Sequence, residues 1–145
     1  MAAINTGSVV KAGLVAGLVL NVIDFLSNTF VLGRGMEAEL TAINPSLWAS
    51  MTDPRNNVVF VAIDFLLGLL LVWLYAAMRP RFGAGPRTAM RAGAFTWAVA
   101  TLMWAFFLLM GITSFASYTL GAVISLANFL AAAWVGGRLY TEADA

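Results

Sequence analysis

The fold of this chain is decided by residues 58–78, VVFVAIDFLLGLLLVWLYAAM, in which Asp64 is the single charged side chain. A helix needs roughly 20 apolar residues to cross the ~30 Å hydrocarbon core of a bilayer, and this stretch has that length. Three further apolar stretches of similar length cover residues 9–32, 92–110 and 115–135. The sequence therefore predicts an all-α integral membrane protein, a single transmembrane four-helix bundle that takes in residues 1–145.

The composition agrees with a membrane location and narrows the possible chemistry. Of the 145 residues, 61% are hydrophobic and only 10% are charged, whereas about 25% are charged in a typical soluble domain. The chain has no cysteine and no histidine, which removes thiolate and imidazole ligands and most familiar nucleophile–base pairs. We therefore expect no catalytic activity, no metal site and no cofactor. The net charge of +1 gives no reason to expect nucleic acid as a partner.

Positive charge is distributed unevenly between the two faces of the predicted bundle. With four spans both termini share one face, which carries six positive residues: Lys11, Arg79, Arg81, Arg87, Arg91 and Arg138. The opposite face carries only Arg34 and Arg55. Because positively charged loops stay in the cytoplasm, the sequence predicts cytoplasmic N and C termini.

The loop of residues 79–91 contains four of these charges, Arg79, Arg81, Arg87 and Arg91, between prolines and glycines. One interpretation is a contact with anionic lipid headgroups. The other, which we favour, is that the arginines only determine the topology. All four prolines of the chain, Pro45, Pro54, Pro80 and Pro86, are expected in loops, which leaves the spans continuous.

Residues 33–57 are predicted to form the outer loop, with a short helix lying in the membrane interface. Apolar side chains recur there at spacings of three and four, as in an amphipathic helix: Met36, Leu40, Ile43, Leu47 and Met51. Pro45 falls within this pattern, so two shorter helices are the other interpretation.

Two aspartates, Asp24 and Asp64, lie inside the predicted spans. A carboxylate at mid-membrane costs about 2.5–3.5 kcal/mol, so each is expected to face the interior of the bundle. Counted from the centres of their spans, both lie in the outer half at about the same depth, where antiparallel neighbouring helices could bring the two carboxyls face to face. Four further polar residues step along the same helix faces and join them in one predicted seam: Asn21, Asn28, Ser125 and Asn128.

This seam has three interpretations. Asp and Asn side chains could form a polar clamp that fixes helix packing, they could hold a proton or a cation, or they could bind a partner subunit. The first predicts a non-catalytic polytopic membrane protein with a structural or accessory role. The second predicts a small proton- or cation-coupled carrier or channel that uses Asp24 and Asp64.

Glycines mark the predicted positions of close helix packing. Gly13 and Gly17 form a GxxxG pattern in the first span, and Gly121 lies on the polar side of the fourth. A carrier with only four spans would need a dimer, and the GxxxG pattern is its candidate interface. The expected partners are therefore the lipid bilayer and either a second copy or a larger membrane complex.

Two stretches resemble small uncharacterised bacterial membrane proteins with four spans and about this length. They are residues 16–25, AGLVLNVIDF, and residues 69–89, LLLVWLYAAMRPRFGAGPRTA. The resemblance implies the same four-span layout and a multi-pass location in the bacterial inner membrane. It implies no activity, because none is assigned to that group.

Overall fold

The computed structural model describes residues 4–142, and within that range the chain is helical and has no strand. The elements in chain order are α1 (Thr6–Ser27), a π-helical turn (Asn28–Leu32), α2 (Gly33–Ile43), α3 (Pro45–Met51), α4 (Pro54–Phe82), α5 (Pro86–Leu109) and α6 (Phe115–Leu139). Four helical segments are long and apolar enough to cross a membrane: Thr6–Ile43, Pro54–Phe82, Pro86–Leu109 and Phe115–Leu139. The prediction of an all-α chain with four candidate membrane-spanning helices is confirmed.

The first helical segment is longer than the predicted span. It runs for 38 residues, Thr6–Ile43, or about 57 Å at the rise of an α-helix, almost twice the thickness of the hydrocarbon core. The helix does not end at residue 32, because the π-helical turn, closed by the Gly33 N–H on the Asn28 carbonyl, carries it into α2. It ends at Asn44, whose side chain accepts a hydrogen bond from the Ser46 N–H and so caps α3.

The prolines lie at helix starts, with one exception. Pro45, Pro54 and Pro86 each occupy the first turn of a helix, where the missing N–H is not needed. We expected all four prolines in loops, but three begin helices and Pro80 lies inside α4. Three residues later α4 ends at Gly83, which has a φ of +82°, a conformation that favours glycine.

Four long helices form a ring in which α1 and α5 each contact both α4 and α6. The closest approach joins α1 to α4. A Cβ added to Gly68 would run into the backbone of Gly17, and one added to Gly13 would lie 2.8 Å from the Cα of Leu69. Such contacts let two helix backbones touch, so these glycines fix where α1 crosses α4.

Both described ends of the chain meet at one end of the bundle, called here the terminal end. The Asn5 N–H donates to the Tyr140 hydroxyl (3.2 Å), and the Thr141 N–H donates to Ser8 Oγ (2.8 Å). The helices α2 and α3 and the turn of residues 111–114 lie at the opposite end, called here the far end.

Burial differs sharply between the two ends. The largest fully buried side chains are Leu20, Leu71, Val72 and Thr88, and all lie in the half next to the terminal end or at mid-bundle. Towards the far end the helices expose apolar side chains: Val58 is 69% and Leu102 72% exposed. The packed core therefore lies towards the terminal end.

Candidate functional site

The centre of the candidate site is a hydrogen bond between α6 and α1. Asn128 is only 2% exposed, and its Nδ2 donates to Asp24 Oδ1 (2.8 Å) and to the Leu20 carbonyl (3.3 Å). Its Oδ1 is also buried but has no hydrogen-bond partner among residues 4–142. Asn128 therefore uses its donors to hold α1 and keeps one acceptor unpaired.

A second polar contact joins α1 to α4. Asn21 Nδ2 donates to the Gly17 carbonyl of its own helix (3.0 Å) and to the Val61 carbonyl of α4 (3.3 Å). An amide that bridges two helices limits their sliding, because a shift breaks its hydrogen bond to the partner helix. Through Asn21 and Asp24, α1 is tied to both of its neighbours.

Two residues of the predicted seam make only local hydrogen bonds. Asn28 is exposed, and its Nδ2 donates to the Asp24 carbonyl one turn earlier in the same segment (2.9 Å). Ser125 Oγ donates to the Ala122 carbonyl of its own helix (3.1 Å). Neither side chain hydrogen-bonds another helix, because short polar side chains in a helix readily bond a carbonyl of the preceding turn.

The two aspartates are offset along the bundle, although we expected them at about the same depth. Gly13 and Gly17 of α1 lie against Leu69 and Phe65 of α4, so the two helices are antiparallel. Continuing this register puts Asp24 about six residues, or ~9 Å, further towards the far end than Asp64. We had estimated the depth of each aspartate by placing the centre of its apolar run at mid-membrane. The relative position of α1 and α4 is instead set by the glycine contacts.

Asp64 is half-buried, and its carboxylate makes no hydrogen bond within residues 4–142. Its backbone carbonyl lies near Gly17, so the residue is at the α1–α4 crossing. No group of three His, Cys, Asp or Glu side chains occurs in this described part of the chain. The site thus offers one carboxylate paired with an amide, Asp24, and one unpaired carboxylate, Asp64.

The third predicted packing glycine, Gly121, lies between α6 and α5. A Cβ added there would lie 2.9 Å from the ring of Trp104. Nearby, Trp97 Nε1 donates to the Ala122 carbonyl (2.8 Å), and the Tyr118 hydroxyl donates to the Thr101 carbonyl (3.1 Å). These bonds tie α5 and α6 together at mid-bundle.

Sequence reasoning missed a polar contact at the far end that is built on Glu39 of α2. Its carboxylate accepts hydrogen bonds from Thr113 Oγ1 (3.0 Å), Ser117 Oγ (2.7 Å) and the Ser114 N–H (3.2 Å). Ser114 is the N-cap of α6, and a negative charge is favourable at a helix N-terminus. The sequence shows the capping serine, but Glu39 reaches it only because α1 continues into α2.

The arginines predicted as headgroup or topology residues have different surroundings. Arg79 lies between two tyrosine rings and 3.2 Å from Glu142 Oε1. Arg81 and Arg91 flank the ring of Phe82, at 6.0 and 5.0 Å from its centroid. Arg87 is exposed in the first turn of α5. Only Arg79 of the four is held in a buried position.

Comparison with known proteins gave no match to a family model, a curated protein or a solved structure. The role of the chain must therefore be inferred from its own residues. Those residues offer interhelical hydrogen bonds, one unpaired carboxylate and positive charge at the terminal end.

Proposed function

We propose that the chain is a non-catalytic multi-pass membrane protein, a structural or accessory helix bundle held together by a buried Asp/Asn seam. The observation that supports this role is the contact of Asn128 with α1. The Asn128 side chain is 98% buried, and its Nδ2 donates hydrogen bonds to Asp24 and to the Leu20 carbonyl. A hydrogen bond between helices within a membrane contributes about 0.6–2 kcal/mol to their association, so the contact stabilises the bundle without any catalytic or transport role.

The exposure pattern also supports a membrane location. Residues such as Phe25, Phe30, Leu102 and Phe106 are 68–77% exposed, and apolar exposure on this scale is rare in soluble monomers. In lipid they would contact acyl chains at no cost. The polar side chains of Asp24 and Asn128 point instead to neighbouring helices, as intramembrane polar groups do.

We further propose that both termini are cytoplasmic and that the membrane is the bacterial inner membrane. The support is the charge count, six positive residues on the terminal face against two on the other, and the resemblance to small bacterial four-span proteins. The chain has no cysteine, so single cysteines at Ser50 and at Thr141 would report accessibility directly. A membrane-impermeant thiol reagent should label Ser50→Cys in intact spheroplasts and Thr141→Cys only after lysis. The reverse pattern would refute the orientation.

A second candidate is a small proton- or cation-coupled carrier or channel that uses Asp24 and Asp64. Two unpaired acceptors favour it: Asn128 Oδ1 is buried without a partner in residues 4–142, and the Asp64 carboxylate has no hydrogen bond there. Carboxylate and amide oxygens are ligands that hard cations accept. The register of α1 on α4 offsets the two residues by ~9 Å along the bundle, so a carrier would use them at two depths.

Flux measurements on the purified chain in sealed vesicles separate the two functions. Under the structural role, proton and Na⁺ or K⁺ flux equals that of empty vesicles. Under the carrier role, flux is present, disappears in the Asp24→Asn/Asp64→Asn double variant and persists in Glu37→Gln, which alters an exposed acid on α2. Flux with this dependence would overturn the structural proposal.

A further inference from the structure

A cavity of about 220 Å³ opens at the terminal end, between α4, the start of α5 and the end of α6. A water molecule needs roughly 10–15 Å³ by such a measure, so the cavity admits a group much larger than water. Its lining includes four polar or charged side chains: Tyr75, Arg79, Arg138 and Tyr140. None of these residues belongs to the Asp/Asn seam.

The hydroxyls of the two lining tyrosines each accept one backbone hydrogen bond. The Tyr75 hydroxyl accepts from the Gly85 N–H (3.1 Å), and the Tyr140 hydroxyl accepts from the Asn5 N–H (3.2 Å). Neither hydroxyl donates to an acceptor within residues 4–142. A tyrosine hydroxyl both donates and accepts, and the Tyr75 hydroxyl, which contacts the lining residue Gly85, keeps its own proton to offer to a ligand.

The arginines add two permanent positive charges. The guanidinium of Arg79 lies 5.8 and 5.2 Å from the centroids of the Tyr75 and Tyr140 rings, and its side chain is only 15% exposed. The guanidinium of Arg138 lies 3.9 Å from the ring centroid of Trp134, which also lines the cavity. Aromatic rings thus hold both guanidinium groups in place.

Arg79 is incompletely satisfied. Its Nε is 3.2 Å from Glu142 Oε1 but is not in hydrogen-bonding geometry, and this buried atom has no other partner among the described residues. Glu142 itself is 40% exposed and lies near the end of the chain. Its carboxylate is therefore a weakly held neighbour, which a stronger anion could displace.

We propose that this cavity binds a phosphate group, carried by the headgroup of an acidic phospholipid or free in solution. Two guanidinium groups and the Tyr75 hydroxyl, with a single displaceable carboxylate, match an acceptor that has several charged oxygens. A basic pocket between membrane helices is also a known form of lipid headgroup site. Arg79 and Arg138 would bind the phosphate oxygens, and Glu142 would move away from Arg79.

The test titrates the purified full chain, in an uncharged detergent at constant ionic strength, with short-chain phosphatidylglycerol or with inorganic phosphate. The thermal unfolding midpoint reports binding. Arg79→Gln and Arg138→Gln should each weaken the apparent affinity about tenfold or more, as expected for a charge-assisted hydrogen bond. Glu142→Gln should strengthen it. Arg87→Gln removes the same charge from the same end, outside the cavity, and should change the affinity less than about twofold, as a distant exposed charge does.

The two titrations distinguish the sources of the phosphate. Stabilisation by the lipid alone, lost in the arginine variants, identifies a headgroup site. Equal stabilisation by inorganic phosphate, lost in the same variants, identifies a free phosphate site. The proposal is overturned if neither ligand stabilises the chain, or if Arg87→Gln weakens binding as much as Arg138→Gln. Arg138 is exposed, so its variant remains informative even if Arg79→Gln fails to fold.

Discussion

Asn128 Nδ2 lies 2.8 Å from Asp24 Oδ1, so an amide of α6 donates directly to a carboxylate of α1. Asn21, one turn before Asp24, donates to the Val61 carbonyl of α4. The same face of α1 thus contacts both adjacent helices through polar groups. If lipid surrounds the bundle, these bonds have no competition from bulk water, and breaking one exposes an unpaired polar group.

Gly68→Ala should destabilise the bundle. The new methyl group would collide with the backbone of Gly17, and overpacking of this kind typically costs about 1–3 kcal/mol. The free energy of unfolding, measured with denaturant in mixed micelles, checks the prediction. Gly7→Ala is the matched control, because its Cβ would meet Asn5 Oδ1 at an ordinary 3.6 Å. Equal stability of the two variants would show that α1 and α4 do not cross at Gly68.

Glycines at this crossing also bear on self-association. Gly13 and Gly17 were the candidate dimer interface, but both are buried against α4 of the same chain. A second copy would have to dock elsewhere. Gly17→Leu should therefore unfold the monomer rather than convert a dimer to a monomer, as analytical ultracentrifugation in density-matched detergent can show. If the parent is a dimer and Gly17→Leu is a folded monomer, the GxxxG pattern is the dimer interface after all.

Trp97→Phe should cost about 0.5–1.5 kcal/mol of stability, because it removes the 2.8 Å hydrogen bond to the Ala122 carbonyl and keeps most of the ring. Trp73→Phe provides the comparison, since Trp73 is 52% exposed and has no hydrogen bond in the described part of the chain. The free energies of unfolding of the two variants, monitored by circular dichroism, are compared with that of the parent. If the Trp73 variant loses as much, the bond between α5 and α6 contributes nothing specific.

Glu39→Ala should loosen the turn between α5 and α6. The Ser114 N–H and the hydroxyls of Thr113 and Ser117 would lose their shared acceptor. We expect amide hydrogen exchange at Ser114 to accelerate roughly 2- to 10-fold, the effect of losing about one hydrogen bond. Glu37→Ala changes an exposed acid on the same helix and should leave this exchange rate unaltered. Protection that survives in Glu39→Ala would mean that the turn is held by other contacts.

The four long helices could be predicted from the sequence because each depends on one continuous apolar run and not on contacts with distant residues. Apolar runs such as residues 58–78 are long enough to cross a bilayer, whatever their neighbours do. The end of the first helix could not be predicted in this way. Nothing in residues 28–33 breaks a helix outright, and the π-helical turn that continues it depends on a backbone hydrogen bond from Gly33 to Asn28.

The seam could be predicted only in part, because its geometry depends on register. Residue spacing put Asn21 and Asp24 on one face of α1, and Asn128 on a polar face of α6. Spacing within one helix cannot say which residue of another lies opposite. That relation is set by the contact of Gly68 with Gly17, which moves Asp64 away from Asp24. The Glu39 contact and the cavity at Arg79 likewise join distant parts of the chain.

The measurement that tests the central claim most directly is a double-mutant cycle on Asp24 and Asn128. The unfolding free energies of Asp24→Ala, Asn128→Ala and the double variant are compared with that of the parent in the same micelles. If these side chains clamp α1 to α6, the coupling energy should be about 0.6–2 kcal/mol. A coupling energy indistinguishable from zero would contradict the clamp and leave Asp24 without a structural role.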